Sequence, residues 1–225
     1  MLFIGALAAV GHEYRWPTAL LLNGALGGDT WDPQWQFWFL ETLVWSYVAL
    51  ATLLAVPLVG RAQRAAPFVA ALVVLALALA LRYGWTGVEA GTTERYTTGV
   101  VAWCLALGIC AAYAQERWQR LLVALLAVVA TAGFFGDALR EAIVVGGVLL
   151  LLWGRPVRLP AWLASTLAVL ASASLWIYLT HWQVYPPLED SGHQLLAILA
   201  SLVVGVAVSV LVTLASRAIR LIGSR

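Results

Sequence analysis

The chain predicts an all-α fold, a polytopic bundle of transmembrane helices. Of its 225 residues 63 % are hydrophobic and only 11 % charged, and the mean hydropathy is +0.89. Soluble domains carry about 45–50 % apolar and about 25 % charged residues, so both departures point to a bilayer as solvent. The apolar residues also lie in long continuous runs rather than in weak alternating segments, which favours helices over a closed β-barrel. At roughly 20 apolar residues per span there is room for about seven spans with short connections, in a single membrane domain over residues 1–225.

The runs, in order, are Gln36–Gly60, Pro67–Trp85, Tyr96–Ala114, Leu121–Gly136, Ala142–Gly154, Ala161–Pro187 and His193–Ser216. The fifth is short for a span and is expected to borrow Arg140 or Arg155 as a snorkelling end. The sixth is long, and predicts a short interfacial helix from about Ala161 followed by the span proper from about Ser172. Connections alternate in charge. Arg61 and Arg64, Arg117 and Arg120, Arg155 and Arg158, and Arg217, Arg220 and Arg225 follow the odd-numbered spans. Asp29 and Asp32, Glu89 and Glu94, Asp137 and Glu141, and Glu189 and Asp190 occupy the other connections. The positive-inside rule then places the C-terminus in the cytoplasm and the stretch around Gly27–Gln34 outside.

Met1–Val10 is apolar but about half the length of a span, and the polar stretch GHEYRWP follows at once. It lacks the basic start of a secretory signal. The expectation is that Met1–Gly11 is the outer end of a helix that begins upstream.

Several function classes are excluded. A net charge of +2 without a clustered basic face argues against nucleic acid. Every basic side chain apart from histidine is Arg, so Schiff-base chemistry, including a retinal pigment, has no amine to use. Cys104 and Cys110 point to different faces of one helix and read as small packing residues. No His/Cys/Asp cluster has metal spacing, and no phosphate-binding or dinucleotide fingerprint occurs; no bound cofactor is expected. Ser201, Gly205, Ser209 and Thr213 recur every four residues, a small-residue stripe along which another helix can approach closely.

Ionisable groups inside a span are costly and suggest function. Glu41, in FWFLETLVW, lies one to two turns below the outer surface. Trp38, Glu41 and Trp45 share a helix face at i, i+3, i+7 spacing. A carboxylate between two indoles can bind a hydroxyl-bearing ligand; an aromatic belt with an interfacial Glu gives the same pattern. His181, in SLWIYLTHWQVYPP, falls near mid-depth if the span starts at Ser172. With Ser174 and Tyr178 it forms one polar face. Its imidazole suits general acid/base work, or an interhelical hydrogen bond that holds the bundle. Arg95, at the outer start of the third span, can pair with Glu41 across the bundle or remain solvated. The cytoplasmic arginines can bind the phosphates of a donor such as a coenzyme A thioester, although the positive-inside rule already accounts for them. The candidate catalytic residues are thus His181 and Glu41; Trp38, Arg95, Tyr178, Trp45 and Ser174 are the candidate substrate-binding residues.

The pairing of QWQFWFLETLVWSYVAL with ASASLWIYLTHWQVYPPL resembles the acyltransferase-3 family of integral membrane O-acyltransferases. Trp38, Phe39 and Leu40 match the family's Trp-Phe-Leu run in a middle span. Ser174, Tyr178, Leu179 and His181 match its Ser…Tyr-Leu-x-His run, and Arg95 and Gly99 its Arg-then-Gly helix start. The resemblance covers about Leu2 to Arg220. It implies transfer of an acyl group, often acetyl, from a donor such as acyl-CoA to a hydroxyl of a sugar, lipid, cell-wall polymer or small metabolite. It also implies a bundle of about ten spans, of which this chain supplies the last seven. The family's catalytic His lies on its first span with an Arg about ten residues before it; His12 has no such match, so an N-terminal segment or partner subunit is expected to supply that span. A small transporter or flippase-like protein that binds a polyol without chemistry is the alternative, and a non-catalytic scaffold a third reading. Arg-only basicity and the Ala/Leu/Val bias suggest a bacterial cell membrane as the location.

Overall fold

The computed structural model describes residues 16–28, 31–87 and 93–223, and all its regular structure is helical. The segment Met1–Gly11, His12, Asp29 and Glu89 lie outside the described residues. The chain divides into two compact units, Met1–Arg155 and Pro156–Arg225.

The first unit begins with two short helices, α1 (Trp16–Leu20) and α2 (Asn23–Leu26), and a 3-10 turn over Pro33–Phe37. Then come α3 (Trp38–Ala55), α4 (Pro57–Ala65) and α5 (Pro67–Thr86). The first apolar run is therefore not one span to Gly60. Val56 is extended, with ψ 119°, and Pro57 opens a new helix. Proline bars its predecessor from the helical region and has no N–H to continue the ladder. A second proline, Pro67, opens α5 in the same way. Gly87, at φ 70°, ends α5 in a conformation that costs glycine little.

A 3-10 turn at Glu94–Tyr96 leads into α6 (Thr98–Tyr113), α7 (Arg117–Thr131) and α8 (Ala138–Trp153). The last two start four residues before the apolar runs that predicted them, because polar residues cap them. Glu116 and Gln119 form a reciprocal capping box at α7. The Asp137 carboxylate accepts the Arg140 amide at 2.7 Å at α8.

On α5, Phe68, Ala71, Leu75 and Ala78 repeat at helical spacing and are buried. They join Val100, Trp103, Leu107 and Cys110 of α6 and Val123, Ala127 and Ala130 of α7 in one core. The cysteines are free thiols, Cys110 fully buried.

The second unit is a hairpin of α9 (Ala161–Glu189) and α10 (Gln194–Gly223), turned by Gly192 at φ 80°. The expected division of the sixth run into an interfacial helix and a span does not occur. Nothing from Ala161 to Tyr185 is Gly or Pro, so the helix has no reason to stop, and it is continuous over 29 residues. The small-residue stripe packs as expected at its first half. Ser201 is buried, and a Cβ built on Gly205 would overlap the backbone of Ile177 on α9. Towards Thr213 the stripe is exposed.

Four described helices are long and apolar enough to cross a bilayer: Trp35–Ala55, Pro67–Thr86, Ala161–Glu189 and Gln194–Leu221. The other three predicted spans are helices of 16, 15 and 16 residues. At about 1.5 Å per residue these fall short of a hydrocarbon core roughly 30 Å thick.

Because Gly205 admits the backbone of Ile177, Gly205→Leu should separate α9 from α10 and lower stability by about 1–3 kcal/mol. Thermal unfolding in detergent reads the loss, and Ser209→Ala should shift it little. Equal melting of all three proteins would refute the close packing.

Candidate functional site

The site in the first unit is assembled by a short chain reversal against α3. Leu21 takes a left-handed conformation, φ 58°, which turns the chain from α1 into α2. Its carbonyl accepts the Trp45 indole N–H at 2.5 Å. One helical turn earlier on α3, the Glu41 carboxylate accepts the backbone N–H groups of Asn23 at 2.9 Å and of Gly24 at 2.7 Å. These are donors that a helix start cannot satisfy within itself. The Thr18 hydroxyl in turn bonds the Asn23 side-chain carbonyl at 3.0 Å. A Cβ on Gly24 would stand 3.0 Å from the carboxylate, so glycine lets the amide approach.

Glu41 is buried, with 5 % of its surface exposed. Beside it lies a cavity of about 210 Å³, lined by Glu41, Trp45, Trp85, Thr97 and Thr98 among others. Each carboxylate oxygen has a second lone pair, so Glu41 can still accept a hydroxyl from this cavity while holding α2.

Trp38 belongs to the same face but packs elsewhere. Its ring centroid is 5.0 Å from that of Tyr96, which is itself 4.8 Å from Trp31. Arg95 donates to the Phe135 carbonyl at 2.9 Å and so ties the turn before α6 to the α7–α8 connection. The two partners the sequence offered each other are thus engaged with backbone, Glu41 with α2 and Arg95 with Phe135.

In the second unit, Ser174, Tyr178 and His181 follow one another along α9 at i, i+4, i+7, with Ser174 exposed and the other two half-buried. The middle of this continuous helix is Leu175. His181 stands six residues beyond it, about 9 Å nearer the Glu189 end. His181 Nδ1 is 2.6 Å from the Tyr178 carbonyl oxygen. A carbonyl only accepts, so this contact places a proton on Nδ1, and in the neutral ring Nε2 then carries the lone pair. The Tyr178 and Trp182 rings flank the imidazole at centroid distances of 5.7 and 5.2 Å.

One charged residue was passed over in the sequence. Arg82 is fully buried, its guanidinium 4.4 Å from the Phe134 ring centroid and 5.0 Å from that of Trp103, and it donates to the Ala130 carbonyl. The signal was present, an Arg three residues inside the end of the second apolar run. Such a position more often belongs to a snorkelling side chain.

Long apolar helices with buried polar side chains define an integral membrane protein. A family model described as an acyltransferase domain, of the acyltransferase-3 type, matches residues 1–215 and so spans both units. The chain belongs to the acyltransferase-3 family of membrane acyltransferases. No curated protein and no solved structure matches it.

Removing the carboxylate in Glu41→Ala leaves two amides of α2 without their acceptor, at about 1–3 kcal/mol. Hydrogen exchange at Asn23 and Gly24 should accelerate strongly in Glu41→Ala and less in Glu41→Gln, which keeps one acceptor oxygen. Unchanged protection in both variants would show that the carboxylate does not hold α2.

Proposed function

We propose that the chain is an O-acyltransferase, or part of one, that moves an acetyl group from an acyl-CoA-type donor to the hydroxyl of a sugar, lipid, cell-wall polymer or small metabolite. The match of the acyltransferase family model over residues 1–215 carries this reading. That match also supports treating both units as parts of one acyltransferase domain.

In such a transfer a base takes the hydroxyl proton and the hydroxyl oxygen attacks the thioester carbonyl. The tetrahedral intermediate then expels the donor thiolate, which recovers the proton. His181 has the base's requirements in its own unit, an Nε2 lone pair on a ring oriented from Nδ1. Tyr178 and Ser174 share its face and are assigned to substrate binding. In the first unit Glu41 is assigned to hold the acceptor hydroxyl, with Trp45 as a stacking wall of the cavity. Trp38 and Arg95 are assigned to substrate binding as well, Trp38 stacked against Tyr96 and Arg95 bonded to the Phe135 carbonyl.

The proposal extends to a seven-span chain in a bacterial cell membrane with its C-terminus in the cytoplasm, supported by the alternation of arginine and acidic connections. Its three shorter helices cross where the bilayer thins and flanking side chains snorkel. Cysteines placed at Arg64, Arg158 and Arg220 should react with an impermeant maleimide only after the cell membrane is opened. Labelling of intact cells at any of the three would overturn the orientation.

Membranes containing the chain, incubated with radiolabelled acetyl-CoA, should transfer label to a lipid, polymer or small-molecule fraction. His181→Ala should slow transfer about 10²–10⁴-fold, the usual worth of a positioned general base. Folded protein that transfers nothing, with the expected N-terminal segment or partner subunit also supplied, would sink the acetyl reading. If that protein still bound a polyol, the transport alternative would take its place.

A further inference from the structure

The Glu41 cavity does not end at Glu41. Thr98 and Gly99, which line it, also line an apolar cavity of about 320 Å³ between α3, α5 and α6. That space shares Leu50, Leu53, Leu77 and Ile109 with a larger apolar trench of about 730 Å³, which runs on to α4. All these residues lie in the first unit. From Ser46 to Leu54 along α3 the path covers about 12 Å of helix. Val69, Val73 and Leu77 are exposed along its rim on α5, a candidate membrane span. A small cavity with a carboxylate at its wall thus adjoins, across Thr98 and Gly99, an apolar cavity and a long apolar trench beside exposed residues of a candidate membrane span.

Two hydroxyls stand where the Glu41 cavity adjoins the second one. Ser46 and Thr98 both line the second cavity. Neither hydroxyl has a hydrogen-bond partner among the described residues, and Ser46 is 8 % exposed. Thr42 and Thr131 are likewise without a partner but line neither cavity, whereas Thr52, Thr86, Ser201 and Thr213 satisfy themselves on the carbonyl four residues back. A buried polar group without a partner is uncommon and expensive. At this junction an oxygen from a ligand would satisfy it.

Resting on the acyl-transfer reading above, we infer that the acceptor is a hydroxyl-bearing membrane lipid. Its headgroup hydroxyl lies at Glu41, the oxygens that link headgroup to tail lie at Ser46 and Thr98, and its alkyl chain runs along the α3–α5–α6 trench. A free sugar would fill the small cavity and leave the trench and both hydroxyls unused. An ordinary bilayer lipid without a headgroup hydroxyl would fill the trench and leave Glu41 unused. The order of the groups along the path, carboxylate, hydroxyls, apolar trench, is the order of an amphiphile.

The test uses the full chain in bilayer nanodiscs and an alkyl glycoside with a photoreactive diazirine on its chain. Crosslinks should map to α3 and α6 around Leu50, Leu53 and Ile109 and be competed by the unlabelled glycoside. Ala102→Trp, which fills the second cavity, should lower crosslinking about tenfold. Ser46→Ala, which keeps the volume and removes only the hydroxyl, should lower it about 2- to 10-fold. Leu125→Trp on the exposed face of α7 should leave it unchanged. Labelled acetyl-CoA is then offered with the alkyl glycoside and with the same sugar lacking a chain, and only the glycoside should be acylated efficiently.

Crosslinking that Ser46→Ala and Ala102→Trp leave unchanged would overturn the lipid site. Equal acylation of the chain-free sugar would overturn the lipid acceptor while leaving acyl transfer intact. Crosslinking as expected, with no acylation of anything even when the expected N-terminal segment or partner subunit is supplied, would instead sink the acyltransferase reading and keep the lipid site.

Discussion

In a bilayer, a polar group has to find its partner inside the protein, because no water is at hand to supply one. The Glu41 carboxylate meets that demand by accepting the free amides of α2, and much of the first unit's upper part follows from it. The short helices α1 and α2 have too few residues to be stable alone. They are fixed because the amides at the start of α2, the Leu21 carbonyl and the Asn23 side chain each find a partner, two of them on α3. Trp45 and Glu41 lie one turn apart on α3, so a single helix face supplies both anchors. The cavity beside Glu41 exists because this reversed segment stands off α3 by the length of those two side chains.

Arg82 meets the same demand with different chemistry. Its charge lies among Tyr83, Trp103 and Phe134, whose ring faces are the negative side of an aromatic quadrupole, and it bonds a carbonyl near the end of α7. One side chain thereby ties α5, α6 and α7 where their apolar core ends. Glu41 stands beside a cavity and Arg82 within packed aromatic rings.

The trench arises from a different constraint. Prolines at positions 57 and 67 stop and restart the helix, so α4 breaks away from the line of α3 before α5 turns back. Three helices that meet through such breaks cannot all pack along their full lengths. The space between α3 and the α5–α6 pair is left to apolar side chains, with Ser46 and Thr98 at its upper end. That space adjoins the Glu41 cavity across Thr98 and Gly99. Here backbone breaks make one part and a carboxylate makes the other.

Composition and run length determined the fold class, because a bilayer admits few charged residues and demands long apolar helices. They also bounded the hairpin of the second unit, though not the continuity of α9, and the close approach at Gly205, since small residues every four positions can face only one side. The family was legible from Trp38–Leu40 and from Ser174, Tyr178 and His181, residues whose spacing survives without any knowledge of packing. Helix starts were less legible, because caps such as Glu116 and Asp137 are polar and look like loop until their hydrogen bonds are seen. Partners were not legible at all. That Glu41 engages backbone amides rather than an arginine, that Arg95 reaches Phe135 and that Arg82 is enclosed were decided only by the tertiary structure. Such contacts join residues 17 to 48 positions apart, and which of many polar groups meet depends on how the helices pack.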